Sequence, residues 1–328
     1  MKLLQNKRRI LITGIICIIL ALLTLSIRGL MGETFFAEKS KKYTVPAGYV
    51  LQPHEKDFNF AVVGDSGSRN ESLQNIINNI RNSDKNYKFI LYVGDLVNDQ
   101  PMAHFYWLMG EIAPKLKNIP FYMIAGNHDV FANTKTNRFY YRAIFGQDYY
   151  WFSYGDTMFI GLDSSERTIK DKQLQWLDNV LTKIRPLYRS CIIFSHVPPT
   201  EEEWADKEAL KKFKKVLLKS KVDLMLFGHV HYFSQGTFAN IPFYTNLASG
   251  QTPRKDIKKL GYSTVSIVDN KVQAVEPVYT DYKKEKEDIE IFLIDQFLTE
   301  KNAILALYLF IFGILCCAWA WVLNKKGN

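Results

Sequence analysis

Hydrophobic and polar positions fall into two patterns along the chain. Short apolar runs, rich in β-branched and aromatic residues, recur at Phe58–Val63, Phe89–Val93, Phe121–Ala125, Met158–Leu162, Cys191–Phe194 and Asp223–Phe227. Runs of this length and composition read as buried strands. Between several of them apolar residues return every three or four positions. Ser72–Arg81 follows Asn70, which reads as an N-cap. Asp171–Ile184 places Leu174, Leu177, Val180 and Leu181 on one face, and Asp206–Lys219 places Leu210, Phe213, Leu217 and Leu218 on another. This alternation predicts an α/β domain. After Gly236 the pattern changes, and Thr237–Leu247 and Gly261–Tyr279 read as consecutive strands with no helix between them.

The two ends follow a different rule. Ile10–Ile27 is a run of 18 uncharged residues and Ala303–Leu323 a run of 21. At about 1.5 Å per residue, each is long enough to cross a hydrocarbon core of about 30 Å. The residues after the first run, Arg28-Gly29-Leu30-Met31-Gly32, lack a small-x-small cleavage pattern, so it reads as a retained span rather than a signal peptide. Trp319 and Trp321 suit an interfacial belt at the end of the second. Lys2, Lys7, Arg8 and Arg9 precede the first run, and Lys325 and Lys326 follow the second. Basic flanks stay inside, which predicts a two-span protein of the cell membrane with both termini cytoplasmic and the middle extracytoplasmic. The expected organisation is a tail at 1–9, a span at 10–27, a stalk at 28–57 and a folded domain at 58–280. A juxtamembrane segment at 281–302, a span at 303–323 and a tail at 324–328 complete it. The juxtamembrane segment turns apolar after the charge run Lys283–Asp288 and reads as a helix lying either on the bilayer surface or against the domain.

Charge changes the picture little. The formal net charge is +9, but seven of the 42 basic residues lie in the acid-free ends, and the middle is nearly balanced against 33 acidic residues. A basic nucleic-acid-binding face is not expected. The lysines at 211, 212, 214, 215 and 219 read as the solvated face of a helix. Of the four cysteines only Cys191 lies between the two spans, so that region has no intramolecular disulfide and relies on its core.

The chemistry sits at the strand ends. Phe58–Val63 runs into Gly64-Asp65-Ser66-Gly67, and Phe89–Val93 into Gly94-Asp95. Phe121–Ala125 runs into Gly126-Asn127-His128-Asp129, Cys191–Phe194 into Ser195-His196, and Asp223–Phe227 into Gly228-His229-Val230-His231. In open α/β sheets ligands bind at the carboxyl ends of the strands. Two carboxylates, an amide oxygen and three imidazoles suit a pair of borderline divalent cations sharing a bridging carboxylate.

The order GD-x-G, GD, GNHD, SH, GHVH resembles the calcineurin-like metallophosphoesterase superfamily, over about Phe58 to Leu247. The resemblance implies a four-layer α-β-β-α sandwich of two packed mixed sheets, here flanked by the N- and C-terminal transmembrane helices. It implies a dinuclear centre of Mn, Zn or Fe and hydrolysis of phosphate mono- or diesters by a metal-held hydroxide. On that resemblance Asp65, Asp95 and His231 hold the first metal, and Asp95, Asn127, His196 and His229 the second, with Asp95 bridging. His128 sits over the scissile phosphate and protonates the leaving oxygen. The substrate is a phosphorylated small molecule or a lipid headgroup.

Two positions depart from the family pattern. Many members carry Asp-x-His in the first motif, where this chain has Gly67; the Gly-Asp-x-Gly form resembles the purple acid phosphatase branch, whose tyrosine ligand is here Asn98. The fourth ligand of the first metal is then Asn98, a water or an unassigned residue. The alternative is a metal-depleted pseudo-phosphoesterase acting as a membrane-tethered binding module. Asp129 either orients His128 or caps a helix, Arg69 reads as an exposed loop residue, and Asp163 as a structural one.

Overall fold

The computed structural model describes residues 2–36, 49–51, 55–98, 101–116, 119–130, 134–254, 259–280 and 300–325. In chain order its elements are α1 (Lys2–Phe36), β1 (Tyr49–Leu51), β2 (Phe58–Val63), α2 (Asn70–Asn82), β3 (Tyr87–Tyr92), α3 (Pro101–Leu116) and β4 (Phe121–Met123). There follow α4 (Asn127–Val130), α5 (Thr134–Phe145), β5 (Tyr150–Tyr154), β6 (Thr157–Gly161), α6 (Asp171–Lys183), β7 (Ser190–Phe194) and α7 (Lys207–Leu217). The last are β8 (Leu224–Phe227), β9 (Ser234–Phe238), β10 (Ile241–Thr245), β11 (Leu260–Val268), β12 (Lys271–Thr280) and α8 (Glu300–Lys325). They form two units, residues 38–287 and the two terminal helices.

The larger unit holds two mixed sheets. One has seven strands in the order β1-β5-β6-β7-β8-β10-β9, the other five in the order β12-β11-β2-β3-β4. Within them β2, β3 and β4 run parallel, as do β6, β7 and β8. Side chains alternate as the two-residue period requires. Phe159, Ile192, Phe194, Leu224 and Leu226 point inward onto Phe60, Val62, Phe89 and Leu91 of the five-stranded sheet. Their neighbours Met158, Ile160, Cys191, Ile193 and Met225 point outward onto Leu174 and Leu177 of α6 and Phe213 and Leu217 of α7. The inter-sheet core is aromatic: the Phe60 ring stacks on Phe89 at 5.1 Å and meets Phe159 edge-on at 5.3 Å. Such pairs contribute about 0.5–1.5 kcal/mol beyond their buried area. On the five-stranded sheet, α2 buries Leu73, Ile76, Ile77 and Ile80, and its Asn79 accepts a hydrogen bond from Tyr262 of β11.

Several expectations need correction. Asn70 is the first residue of α2 rather than its cap; Arg69 is extended and makes no side-chain cap bond, and Asn70 Oδ1 instead accepts from Gln74 Nε2. The stretch 28–57 is not simply a stalk. Helix α1 continues to Phe36, and β1 adds a parallel strand beside β5. Helices α3 and α5 were not anticipated. The segment 281–299, expected as a juxtamembrane helix, lies outside the described residues. Two-residue turns with left-handed backbone, Ala239-Asn240 and Asp269-Asn270, break the tail into hairpins β9–β10 and β11–β12.

The terminal helices are both long and apolar enough to cross a membrane, over Arg8–Ser26 and Leu305–Val322. They pack on each other. A Cβ placed on Gly14 would lie 2.8 Å from the Gly313 carbonyl oxygen and 2.9 Å from Cys317 Sγ, and one on Gly313 would lie 2.7 Å from the Gly14 oxygen and from Ile18. Contacts that rise along one helix fall along the other, so the pair is antiparallel. Gly14 and Ala21 are buried on α1, and Ala306, Gly313 and Ala320 on α8, all at spacings of seven residues. Small residues at that period let two backbones approach closely along a shared seam. Ile12, Ile16, Ile19 and Leu23 face outward from it.

Candidate metal centre

The carboxyl ends of β2, β3, β4, β7 and β8 converge, and each is followed by a polar residue that the sequence singled out. The backbone there is unusual. Asp65, Asp95, His229 and His231 have φ of 57°, 55°, 70° and 61°, in the left-handed region that ordinary residues rarely occupy. Glycines permit the close approach. A Cβ on Gly228 would lie 2.6 Å from Asp65 Oδ2, and one on Gly94 2.7 Å from His196 Nδ1. Asp129 braces the arrangement from beneath. Its buried carboxylate accepts the backbone N–H groups of Asp95 at 2.9 Å, Val97 at 3.1 Å and Gly126 at 2.8 Å, tying the loop after β3 to the loop after β4. It therefore holds the loops, rather than capping a helix.

The imidazoles declare their tautomers through their outer partners. His196 Nδ1 lies 2.8 Å from the Val93 carbonyl, which can only accept, so Nδ1 carries the hydrogen and Nε2 presents a lone pair. His231 Nδ1 lies 2.9 Å from the Thr252 carbonyl, with the same consequence for its Nε2. His229 does the opposite: Nε2 donates to Glu203 Oε2 at 3.0 Å, and Nδ1 faces inward. Outer acceptors of this kind fix the orientation and tautomer of metal-binding histidines.

The inward atoms form two groups. His196 Nε2 is 2.9 Å from Asn127 Oδ1, 3.2 Å from His229 Nδ1 and 3.4 Å from Asp95 Oδ1. His231 Nε2 is 3.5 Å from Asp65 Oδ1. With all three rings in the neutral tautomers above, these atoms have no hydrogen to share and their lone pairs face one another. A cation between them relieves that, and the separations match the edges of a coordination polyhedron with bonds of about 2.1 Å. A second proton on His196, held by Asp95, is the alternative to a cation in that space. Asp65, Asp95 and His196 bring one ligand atom each within 4.8 Å of one another. The donor set fits divalent cations of the Mn, Fe or Zn type.

Proton affinities are displaced in both directions: Asp65 and His196 are pushed toward their protonated forms, for which a cation would compete, and Asp95, His229 and His231 toward the forms that ligate. Burial pushes the carboxyl of Asp65 up, and the neighbouring Asp95 adds to this. Burial also opposes the charge on Asp95, but His196 and the His128 N–H, which donates to Oδ1 at 2.9 Å, outweigh it and hold that carboxyl low. Burial disfavours a charge on His196, yet Asp95 drives it up to about 9. Burial lowers His229 to about 3 and His231 to about 4, which keeps both neutral and able to ligate.

Of the sequence-predicted residues, Asp65, Asp95, Asn127, His196, His229 and His231 all come together. His128 joins through its backbone N–H, from the first turn of α4. Asn98 Oδ1 lies beside Gly67 and accepts from Gln251 Nε2 at 3.0 Å, which leaves it one lone pair. Arg69 is half-buried rather than exposed. Asp163 is structural, as expected, pairing with Arg138 and accepting from Ser165. Glu203 escaped the sequence reading. It lies in an acidic run, Glu201-Glu202-Glu203, and nothing in the pattern separates it from its neighbours.

The sequence model of the calcineurin-like phosphoesterases, Metallophos, matches residues 58–233, more than half of the chain. The chain belongs to the calcineurin-like phosphoesterase family. It is similar to the human serine/threonine-protein phosphatase CPPED1, 26% identical over 187 residues that cover 50% of this chain and 59% of that protein. It is also similar to the "probable glycerophosphodiester phosphodiesterase GpdQ" of Arcobacter nitrofigilis, 27% identical over 211 residues, 58% of this chain and 73% of that protein. Purple acid phosphatase PPD1 from yellow lupin seeds shares the fold, with a TM-score of 0.50 at 13% identity, covering 71% of this chain and 55% of that one. The chain thus spans little more than half the length of CPPED1 and PPD1. Its α/β fold of two mixed sheets is the α/β class read from the strand pattern and the pair of sheets that the resemblance implied.

Proposed function

We propose that this calcineurin-like phosphoesterase hydrolyses phosphate mono- or diesters at a two-cation centre on the outer side of a membrane. The observation that carries the reading is the cluster of inward lone pairs from Asp65, Asp95, Asn127, His196, His229 and His231. Asp65, Asp95 and His231 would hold the first cation, and Asp95, Asn127, His196 and His229 the second. When bound, the cations supply Lewis acidity to the phosphoryl oxygens and acidify a water. The chain does the rest. Glu203, Val93 and Thr252 lock the imidazoles in their ligating tautomers. Asp129 keeps the Asp95 loop in register, and His128 protonates the leaving oxygen. The relatives' printed names are a serine/threonine-protein phosphatase and a probable glycerophosphodiester phosphodiesterase, and mono- and diesters are both within this reading.

The test uses the full chain in detergent, stripped of metal and resupplied with Mn²⁺, Zn²⁺ or Fe²⁺. Turnover of p-nitrophenyl phosphate or bis-p-nitrophenyl phosphate, at two cations per chain, is the expected result. One cation and no turnover of either ester would establish instead the binding module, which Gly67 in place of a ligand favours.

The membrane part rests on the apolar length of α1 and α8, on their basic flanks and on their packing through Gly14 and Gly313. A signal peptide has no reason to fit a helix near the far end of the chain, so α1 stays. An N-terminal epitope should remain on the mature protein, and protease added to intact cells should digest residues 38–287 and spare the epitope. Loss of the epitope by processing, or full protection of the domain, contradicts this topology.

A further inference from the structure

We propose that the side-chain oxygen of Gln251 is the ligand that completes the first cation site, which the first motif leaves one short at Gly67. The inference rests on the two-cation reading above. Gly67 has φ of +56°, and a Cβ built on it would run into Gln251 Cγ and lie 2.9 Å from Gln251 Nε2 and 2.8 Å from Asn98 Oδ1. The Gln251 side chain, through Cγ and Nε2, together with Asn98 Oδ1 therefore fills the space into which a side chain at position 67 would project.

The backbone holds it there. Gln251 N donates to the Asp65 carbonyl at 2.9 Å, and the next carbonyl, Thr252, accepts from His231 Nδ1 at 2.9 Å. Residue 251 is thus pinned between two first-site ligands, Asp65 on one side and His231 on the other. Its side chain is about nine-tenths buried, at 9% exposure. Nε2 donates to Asn98 Oδ1 at 3.0 Å. What remains is Gln251 Oε1, buried and without a hydrogen-bond partner among the described residues. Buried polar atoms without partners are rare and call for an explanation. A hard cation beside Asp65 and His231 satisfies this one, because amide oxygens ligate divalent cations well.

The assignment also makes the two sites chemically unequal. The first then has three oxygens, from Asp65, Asp95 and Gln251, and one nitrogen, from His231. The second has two of each. The first is the harder site, better suited to Mn²⁺ than to Zn²⁺.

The experiment is Mn²⁺ binding to the metal-stripped full chain in detergent, by calorimetry and by the electron paramagnetic resonance signal of free Mn²⁺. Gln251→Met keeps the volume and removes the oxygen. It should leave one tight site and weaken the other at least tenfold, while Gln251→Glu, with a charged oxygen, should bind at that site at least tenfold tighter than wild type. Two wild-type sites in Gln251→Met overturn the assignment and leave the two-cation reading standing. Fewer than two sites in the wild-type chain, for Mn²⁺ and Zn²⁺ alike, overturn both. If Gln251→Met fails to fold, judged by circular dichroism, Gln251→Glu decides alone: unchanged affinity refutes the role of Gln251.

Discussion

Replacing His128 with alanine is expected to lower the hydrolysis of an alkyl phosphate ester by about 10²–10⁴-fold, the usual contribution of a general acid, with both cations retained. The retention follows from how the residue enters the site. Its backbone N–H bonds Asp95 Oδ1, and alanine keeps that bond. Asn127 and the Asp129 brace are untouched. The choice of leaving group separates the roles. Nitrophenolate needs little protonation, so its ester should suffer much less than an alkyl ester. Steady-state rates for both esters, with metal analysis of the same preparation, check this. An equal fall for both esters contradicts proton donation, and loss of a cation moves His128 among the ligands.

Asp95→Asn should be the most damaging single change. The residue lies between the two groups of donors and is 1% exposed, and His196, its near neighbour, is fully buried. Asparagine keeps the shape, tolerates the left-handed backbone and still offers an oxygen to the His128 N–H. It removes only the charge. Two like cations a few ångström apart without a bridging carboxylate repel strongly, so the variant should hold one cation at most and lose at least about 10³-fold in turnover. A second readout is independent of catalysis. A ligand present at a hundred times its Kd stabilises the folded chain by about 2.7 kcal/mol. Added Mn²⁺ or Zn²⁺ should raise the melting temperature of the stripped wild-type chain clearly, and that of Asp95→Asn by less than half as much. Equal shifts would show that Asp95 is not shared.

The core of the fold was legible because each central strand is a short apolar run closed by a glycine or a polar ligand. The runs at 58–63 and 191–194 match β2 and β7 to within a residue, since burial on both faces leaves no polar position inside them. The candidate site stands out for the same reason: its residues follow directly on those strands. What the pattern hid has physical causes. Strand β1 is three residues long, too short for any period to show. Helix α3 is apolar around most of its circumference and carries Pro114, so its buried stripe of Phe105, Leu108, Met109 and Ile112 does not stand out. Gln251 and Glu203 lie on loops where no repeat marks which polar side chain turns inward. Arg138, paired with Asp163, Asp148 and Glu166, shows the converse, a charged cluster that the fold assembles in a half-buried setting away from the strand ends.

The crossing of Gly14 and Gly313 has a consequence for stability. The four cysteines are all free, so no covalent link shortens the chain. Two mated ends can do the same thing without chemistry: as long as the helix pair holds while the domain unfolds, the polypeptide is closed like a ring, and a ring has fewer ways to be unfolded than a string. For a loop of nearly the whole chain, a tight closure removes denatured-state entropy worth at most about 5 kcal/mol. Cutting away either helix then costs the catalytic domain some of its resilience, even though no side chain of that domain has been altered.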